Sequence, residues 1–272
     1  MTARREDMLK ELGLWPVWRL RGSADDTPAT ATVSPGADRA ASEIPVSVRA
    51  VDPPALQKRT RTAAVAAPAL PLDARAAEIA QMDWPQLKES VAGCVACPLH
   101  KGRNKTVFGV GDEQAAWLFV GEGPGADEDL KGEPFVGQAG KLLDNMLAAI
   151  DLKRGRNVYI ANILKCRPPG NRNPEPGEAA QCEPYLHRQI ALIKPKLIVA
   201  LGKVAAVNLL KRDAPVAGMR GKLHEYQGIP LIVTYHPAYL LRSLPEKAKA
   251  WVDLRFAVDT MQALQTGKSA PI

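Results

Sequence analysis

The sequence predicts an α/β fold of three layers, with a central, mostly parallel four-stranded sheet between two layers of helices. Three observations predict it. From residue 73 onward, short apolar runs alternate with longer amphipathic stretches, as in a parallel sheet wound through crossover helices. Polar or glycine-rich segments follow three of those runs, at the strand carboxyl ends where such sheets bind ligands. Hydrophobic content of 46% and charged content of 24% suit an ordinary globular chain, and 272 residues suffice for one substantial core or two small ones.

Met8, Leu9, Leu12 and Trp15 fall at helical spacing and predict an amphipathic helix within residues 1–20. Residues 21–72 read as a linker. They hold seven prolines and no aromatic residue, and cannot bury enough apolar surface to offset the entropy of ordering. Residues 73–272 are read as the folded domain. Ala76 to Ala92 is expected to be helical and runs into Cys94 and Cys97. Trp117–Val120 is a strand that stops at Gly121, and Gly140–Ile150 a helix with Leu142, Leu143, Met146, Leu147 and Ile150 on one face. Asn157–Ile163 is the second strand and Glu178–Ile193 the next helix. Lys196–Leu201 is the third strand, followed by a helix to Leu210. Leu231–Tyr235 is the fourth, and a helix over Lys247–Leu264 closes the domain.

No stretch approaches the roughly 20 apolar residues that span a bilayer. The amino terminus lacks the apolar core of a signal peptide, so a cytoplasmic chain with no membrane partner is expected. Residues 1–84 balance 11 basic against 11 acidic residues, whereas residues 85–272 carry 25 against 18. The net charge of +7 thus belongs to the later part. It fits a polyanionic partner, and it fits simple solubility as well.

Four cysteines, Cys94, Cys97, Cys166 and Cys182, fall as C-x2-C, a long gap, then C-x15-C. Two such pairs make a four-thiolate shell, which suits zinc and an iron–sulfur cluster alike. A redox-active Cys94–Cys97 pair is the runner-up, although such pairs usually start a helix directly after a strand. Gly121-Glu122-Gly123-Pro124-Gly125 lets a ligand approach the backbone closely but lacks the residues of a nucleotide phosphate loop. Phe135 reads as core or as a stacking platform for a planar ring. Asn162 lies in an apolar strand, where its amide needs partners. Those are a neighbouring backbone, or the edge of a base read by its paired donor and acceptor. His236 ends the last strand and suits an acid, a base or a donor to developing negative charge. His100, His187 and His224 sit in contexts that suit surface or packing roles.

Three segments, GEGPGADEDLKGEPFVGQAGKLLDNML, YIANILKCRPPGNRNPEPGEAAQCEPYL and VTYHPAYLLR, closely resemble the motifs of family 4 uracil-DNA glycosylases, the iron–sulfur branch of their superfamily. The resemblance runs from about Cys94 to Leu264 and includes all four cysteines. It implies a [4Fe-4S] cluster on Cys94, Cys97, Cys166 and Cys182. It also implies excision of uracil from single- and double-stranded DNA by a monomer, leaving an abasic site. In that frame Phe135 stacks on the extruded base, Asn162 reads its Watson–Crick edge, and backbone at Glu122 and Gly123 lines the pocket. His236 donates toward O2 as the uracil anion develops. Leu240, Leu241 and Arg242 suit a wedge into the vacated stack. Better-known relatives carry an Asp where Gly123 stands, which leaves Glu122 as the carboxylate available to activate water. The cluster would staple the chain's entry to the segment carrying Arg167 and Arg172 and hold it against DNA.

The rival readings are a non-catalytic nucleic-acid binder with a structural metal, and a protein that traps uracil-DNA covalently. Trapping relatives carry a histidine in an insertion after the Lys-Cys-Arg-Pro segment, and none follows Lys165-Cys166-Arg167-Pro168 here. The amino-terminal segment suits either a tether to a repair or replication protein or a tail without a partner.

Overall fold

The computed structural model describes residues 72–267. The helix read within residues 1–20 and the linker up to residue 71 lie outside the described residues. Leu72, assigned to the linker, opens the first helix.

The expected single helix over Ala76–Ala92 is two, α1 (Leu72–Ile79) and α2 (Trp84–Ala92). Asp83 ends the run between them. Its carboxylate accepts from the Gln86 backbone N–H while the Gln86 side chain accepts from its own N–H, each at 3.0 Å. With Pro85 in the first turn, this restarts the helix rather than continuing it.

Next come β1 (Val110–Gly111), β2 (Trp117–Gly121), α3 (Ala126–Lys131), α4 (Gln138–Ala148), β3 (Val158–Asn162) and α5 (Pro176–Ile193). The rest are β4 (Leu197–Leu201), α6 (Lys203–Leu210), α7 (Val216–Met219), β5 (Leu223–Tyr226), β6 (Ile229–Thr234), α8 (Pro237–Arg242) and α9 (Glu246–Thr266). The sheet order is β1-β3-β2-β4-β6-β5. The four expected strands form its parallel centre, and β1 and β5 add antiparallel edges. The sheet therefore has six strands rather than four. Neither edge carries the apolar run that marks a buried strand. β1 has two residues, and β5 folds onto β6 through Gln227-Gly228, both with positive φ, as a tight hairpin requires.

Alternation along the central strands fills two cores. Leu118, Val120, Tyr159, Ala161, Ile198, Ala200, Leu231 and Val233 face α5 and α6. Phe119, Val158, Ile160, Val199 and Ile232 face α4 and α9. Each fully buried aliphatic side chain contributes about 2 kcal/mol. From β2 the chain runs to β3 on one side and returns to β4 on the other. The strand ends around β2 thus form the crevice in which doubly wound sheets hold ligands.

Candidate active site

A cavity of about 540 Å³ opens at that crevice. Glu122, Gly123, Phe135, Asn162, His236 and Arg242 all line it. These residues come from four separate stretches of sequence.

Gly121 and Asn162 are register partners in the β2–β3 ladder. A Cβ on Gly121 would collide with Asn162 Oδ1 and come within 2.5 Å of the Phe135 ring. Only glycine lets the amide and the ring converge there. Asn162 is 2% exposed, and its Oδ1 has no hydrogen-bond partner. The amide oxygen does not serve a neighbouring loop, so the structural reading of this residue fails. A buried, unpartnered acceptor on a pocket wall marks a place for a donor from outside.

Phe135 is buried with φ of +55°, a strained conformation for a bulky residue. Two charged side chains clamp it. Arg154 donates to the carbonyls of Pro134 and Phe135 at 2.7 and 2.8 Å. Glu128 accepts from the N–H groups of Val136 and Gly137 at 2.9 and 3.1 Å, and from Gly125 at 3.0 Å. Sequence reasoning missed both. Glu128 carried a signal, three residues after Gly125 at a helix start; Arg154, in a loop, carried none.

His236 follows β6 and caps α8. The Ala238 N–H donates to its Nδ1 at 3.1 Å, so the proton of the neutral ring sits on Nε2. Burial, and then the positive charge of Arg242, lowers its pKa to about 4. Its ring lies 5.5 Å from that of Phe135, tilted by 31°. Gly202, at φ of +88°, leaves room behind it, because a Cβ there would approach the His236 Cβ to 2.8 Å. Burial also raises the Glu122 carboxyl above its ordinary value.

Leu240 does not belong to a wedge. It is 1% exposed and packs with Met146, Ile150, Ala250 and Leu254, because the face of α8 that it occupies closes onto α4 and α9. Leu241 is 41% exposed on the same helix. Arg242 lines the cavity and has no ion-pair partner among the described residues. Arg172 is otherwise engaged. Glu178, itself 4% exposed, accepts from it at 2.6 and 2.9 Å, which secures the start of α5. Arg167 bonds Asn171 at 2.7 Å.

The four cysteines line one smaller cavity. Cys94 follows α2, Cys97 precedes a short turn at Pro98–Lys101, Cys166 follows β3 and Cys182 lies in α5. Among the described residues, no three His, Cys, Asp or Glu side chains form a group that could hold a metal ion. Burial raises the Cys97 and Cys166 thiols and takes Cys182 to about 12. Ionising them requires positive charge at hand. Arg103 donates to Cys166 Sγ at 3.2 Å and to the Cys94 carbonyl at 2.7 Å, and Arg75 reaches Cys94 Sγ at 3.7 Å. Lys165 lies wholly buried beside Cys166 and Cys182; burial lowers its ammonium to about 8 while those sulfurs act to raise it.

Fold and pocket together define a doubly wound α/β protein with a cavity at its switch point, lined by Phe135, Asn162 and His236. Residues 108–255 match the family model of the Uracil DNA glycosylase superfamily. The chain is 49% identical to the type-4 uracil-DNA glycosylase of Archaeoglobus fulgidus over 159 residues, 56% of this chain and 79% of that one. It is 43% identical to those of Pyrobaculum aerophilum and Thermotoga maritima, covering 86% and 82% of their lengths and 59% and 58% of its own. The chain belongs to the type-4 branch of the uracil-DNA glycosylase superfamily.

Proposed function

We propose that this chain excises uracil from DNA by hydrolysing the N-glycosidic bond, with the cavity at the ends of β2, β3 and β6 as its active site. One observation carries the residue roles: Asn162, whose buried amide oxygen has no partner, lines the same pocket as Phe135 and a neutral His236. Uracil offers N3–H and O4 side by side. Asn162 Oδ1 accepts from the first and Nδ2 donates to the second. Cytosine reverses both polarities, leaving the buried amide mismatched, which is how such a site rejects it.

Breaking C1′–N1 leaves an oxocarbenium-like sugar and an anionic base. His236 Nε2–H donates toward O2 as the charge develops, and one such donor in a dry site lowers the barrier by roughly 3–4 kcal/mol. Phe135 stacks on the ring that has left the duplex. Glu122, the carboxylate at the pocket wall, orients water toward C1′. Leu241 enters the vacated stack and Arg242 meets a phosphate.

Cys94, Cys97, Cys166 and Cys182 hold a [4Fe-4S] cluster in this reading. All four cysteines line one cavity, and a cuboidal cluster takes one thiolate at each of four irons. Arg75, Arg103 and Lys165 balance its anionic ligands. When bound, the cluster supplies a cross-link between α2, the segment after β3, and α5.

Incubating the protein with a uracil-containing oligonucleotide and then alkali should give scission at the uracil. An intact strand would overturn the reading, and an adduct that survives denaturation would replace turnover with trapping.

A further inference from the structure

No step of the excision uses two tyrosines that line the active-site cavity, Tyr235 and Tyr239. Tyr235 directly follows β6, and Tyr239 lies on α8. Their rings stack, with centroids 5.2 Å apart and planes inclined by 28°. The Arg220 guanidinium lies 5.6 Å from the Tyr235 ring centroid, within the range at which a cation is attracted to an aromatic face. Arg220 is itself anchored to α9. Its Nε donates to Asp253 Oδ2 at 3.0 Å, and its guanidinium also donates to the Lys249 carbonyl at 2.5 Å. Asp253 is buried in the core and accepts from Thr234 Oγ1, at the end of β6, at 2.8 Å. A chain of contacts therefore runs from a core carboxylate, through a guanidinium and a first ring, to a second ring that is 39% exposed. Single exposed aromatics are ordinary. One held in this way on the wall of a substrate cavity is placed to stack on something else.

We propose that Tyr239 is a second stacking platform, which holds the base of a nucleotide next to uracil in the DNA strand. The inference rests on the glycosylase reading and adds a subsite to it. The cavity of about 540 Å³ is larger than one pyrimidine ring fills, and Phe135 takes that ring. Every base has an aromatic face, so a stacking subsite tolerates any sequence while favouring the larger face of a purine. Arg242, three residues further along, lines the same cavity and supplies positive charge for the phosphate between the two nucleotides. A neighbour held on Tyr239 fixes the strand beside the glycosidic bond, so uracil has less freedom to lose on entering the pocket.

The test uses the full chain and single-stranded oligonucleotides of one length. Each carries uracil flanked on its 5′ or its 3′ side by adenine, by thymine, or by a tetrahydrofuran residue that has no base. For the wild type, deleting the base on one of the two sides should raise KM about 10-fold, the loss of one base stack, with adenine preferred to thymine there. In Tyr239→Leu the KM for the adenine-flanked strand should rise by the same factor. Deleting that base should then cost nothing more, since both changes remove one contact. Tyr239→Phe, which keeps the ring, should keep the wild-type preference. Binding gives a readout independent of cleavage. With uracil replaced by its non-cleavable 2′-fluoro nucleoside, 2-aminopurine on that side should lose fluorescence on wild type and Tyr239→Phe, and keep it on Tyr239→Leu. A wild type indifferent to a missing base on either side would overturn the proposal, as would an undiminished flank effect in Tyr239→Leu. If Tyr239→Leu fails to fold, 2-aminopurine left bright on both sides by the wild type would do so. A wild type that quenches the flanking base yet never excises uracil would instead overturn the glycosylase reading.

Discussion

Two cavities of this domain are built on opposite principles. The larger one is assembled from strand ends whose backbone is already satisfied by the sheet, and its side chains are held before any ligand arrives. Phe135 is clamped on both sides, and His236 is fixed by its Nδ1 bond and by Gly202. Its buried atom without a hydrogen-bond partner is Asn162 Oδ1. The cysteine cavity draws its sulfurs from two turns, a loop and a helix, and its thiols are raised by burial. It is surrounded by cations that have more to do once the thiols ionise. A pocket for a passing ligand shows a missing hydrogen bond; a pocket for a resident group shows charge awaiting its opposite.

Mutation can break this contrast. The largest effect should come from the preorganised pocket: Asn162→Ala and His236→Ala are each expected to lower kcat about a hundred- to a thousandfold in single-turnover excision, with iron content unchanged. Cys182→Ser should do the reverse. Iron falls, the domain loses about 3 kcal/mol in denaturant unfolding, and activity fails as a consequence. Should Cys182→Ser keep its stability without iron, the resident-group half of the contrast is wrong. Phe135→Ala removes one base stack and is expected to cost about 10-fold in kcat/KM. Leu241→Ala should slow excision from duplex by a few-fold more than from single strands, and equal losses would remove it from the wedge.

The pH dependence sharpens the same comparison. Free His236 would titrate near 6.5, but in the fold it stays neutral down to about 4. Between those values the unfolded chain binds more protons, so stability rises with pH across the window and is lost as pH falls through it. Activity should pass through 6.5 without a break. Glu122 is raised above its ordinary 4.5 by burial, so a base role there predicts an acid limb at that higher value. Glu122→Gln should abolish that limb together with much of the rate; full activity in this variant would leave His236 and fixed dipoles to suffice.

How far the sequence could be read follows from what kind of signal each feature has. The four parallel strands announce themselves as apolar runs because both faces are buried. The two edge strands do not, since β1 is only two residues long and β5 is stabilised by a hairpin whose Gln-Gly turn is a weak marker. Asn162, Glu122 and His236 were legible as odd residue types at strand ends and Phe135 as an aromatic in a loop, and the structure brings them to one cavity. Leu240 was misread because exposure on a six-residue helix depends on what packs beneath it. Arg154 and Lys165 were invisible as partners. Each acts through a backbone carbonyl, and a carbonyl leaves no trace in the residue alphabet.

The burial of Leu240 also settles which molecule has to move. With that side chain seated among Met146, Ile150 and Leu254, α8 cannot swing toward DNA without opening a core cluster. If α8 is the edge that meets the duplex, the distortion is expected to fall on the nucleic acid. Competition between oligonucleotides is then expected to rank uracil in a single strand first, in a mismatch next, and in a well-stacked pair last.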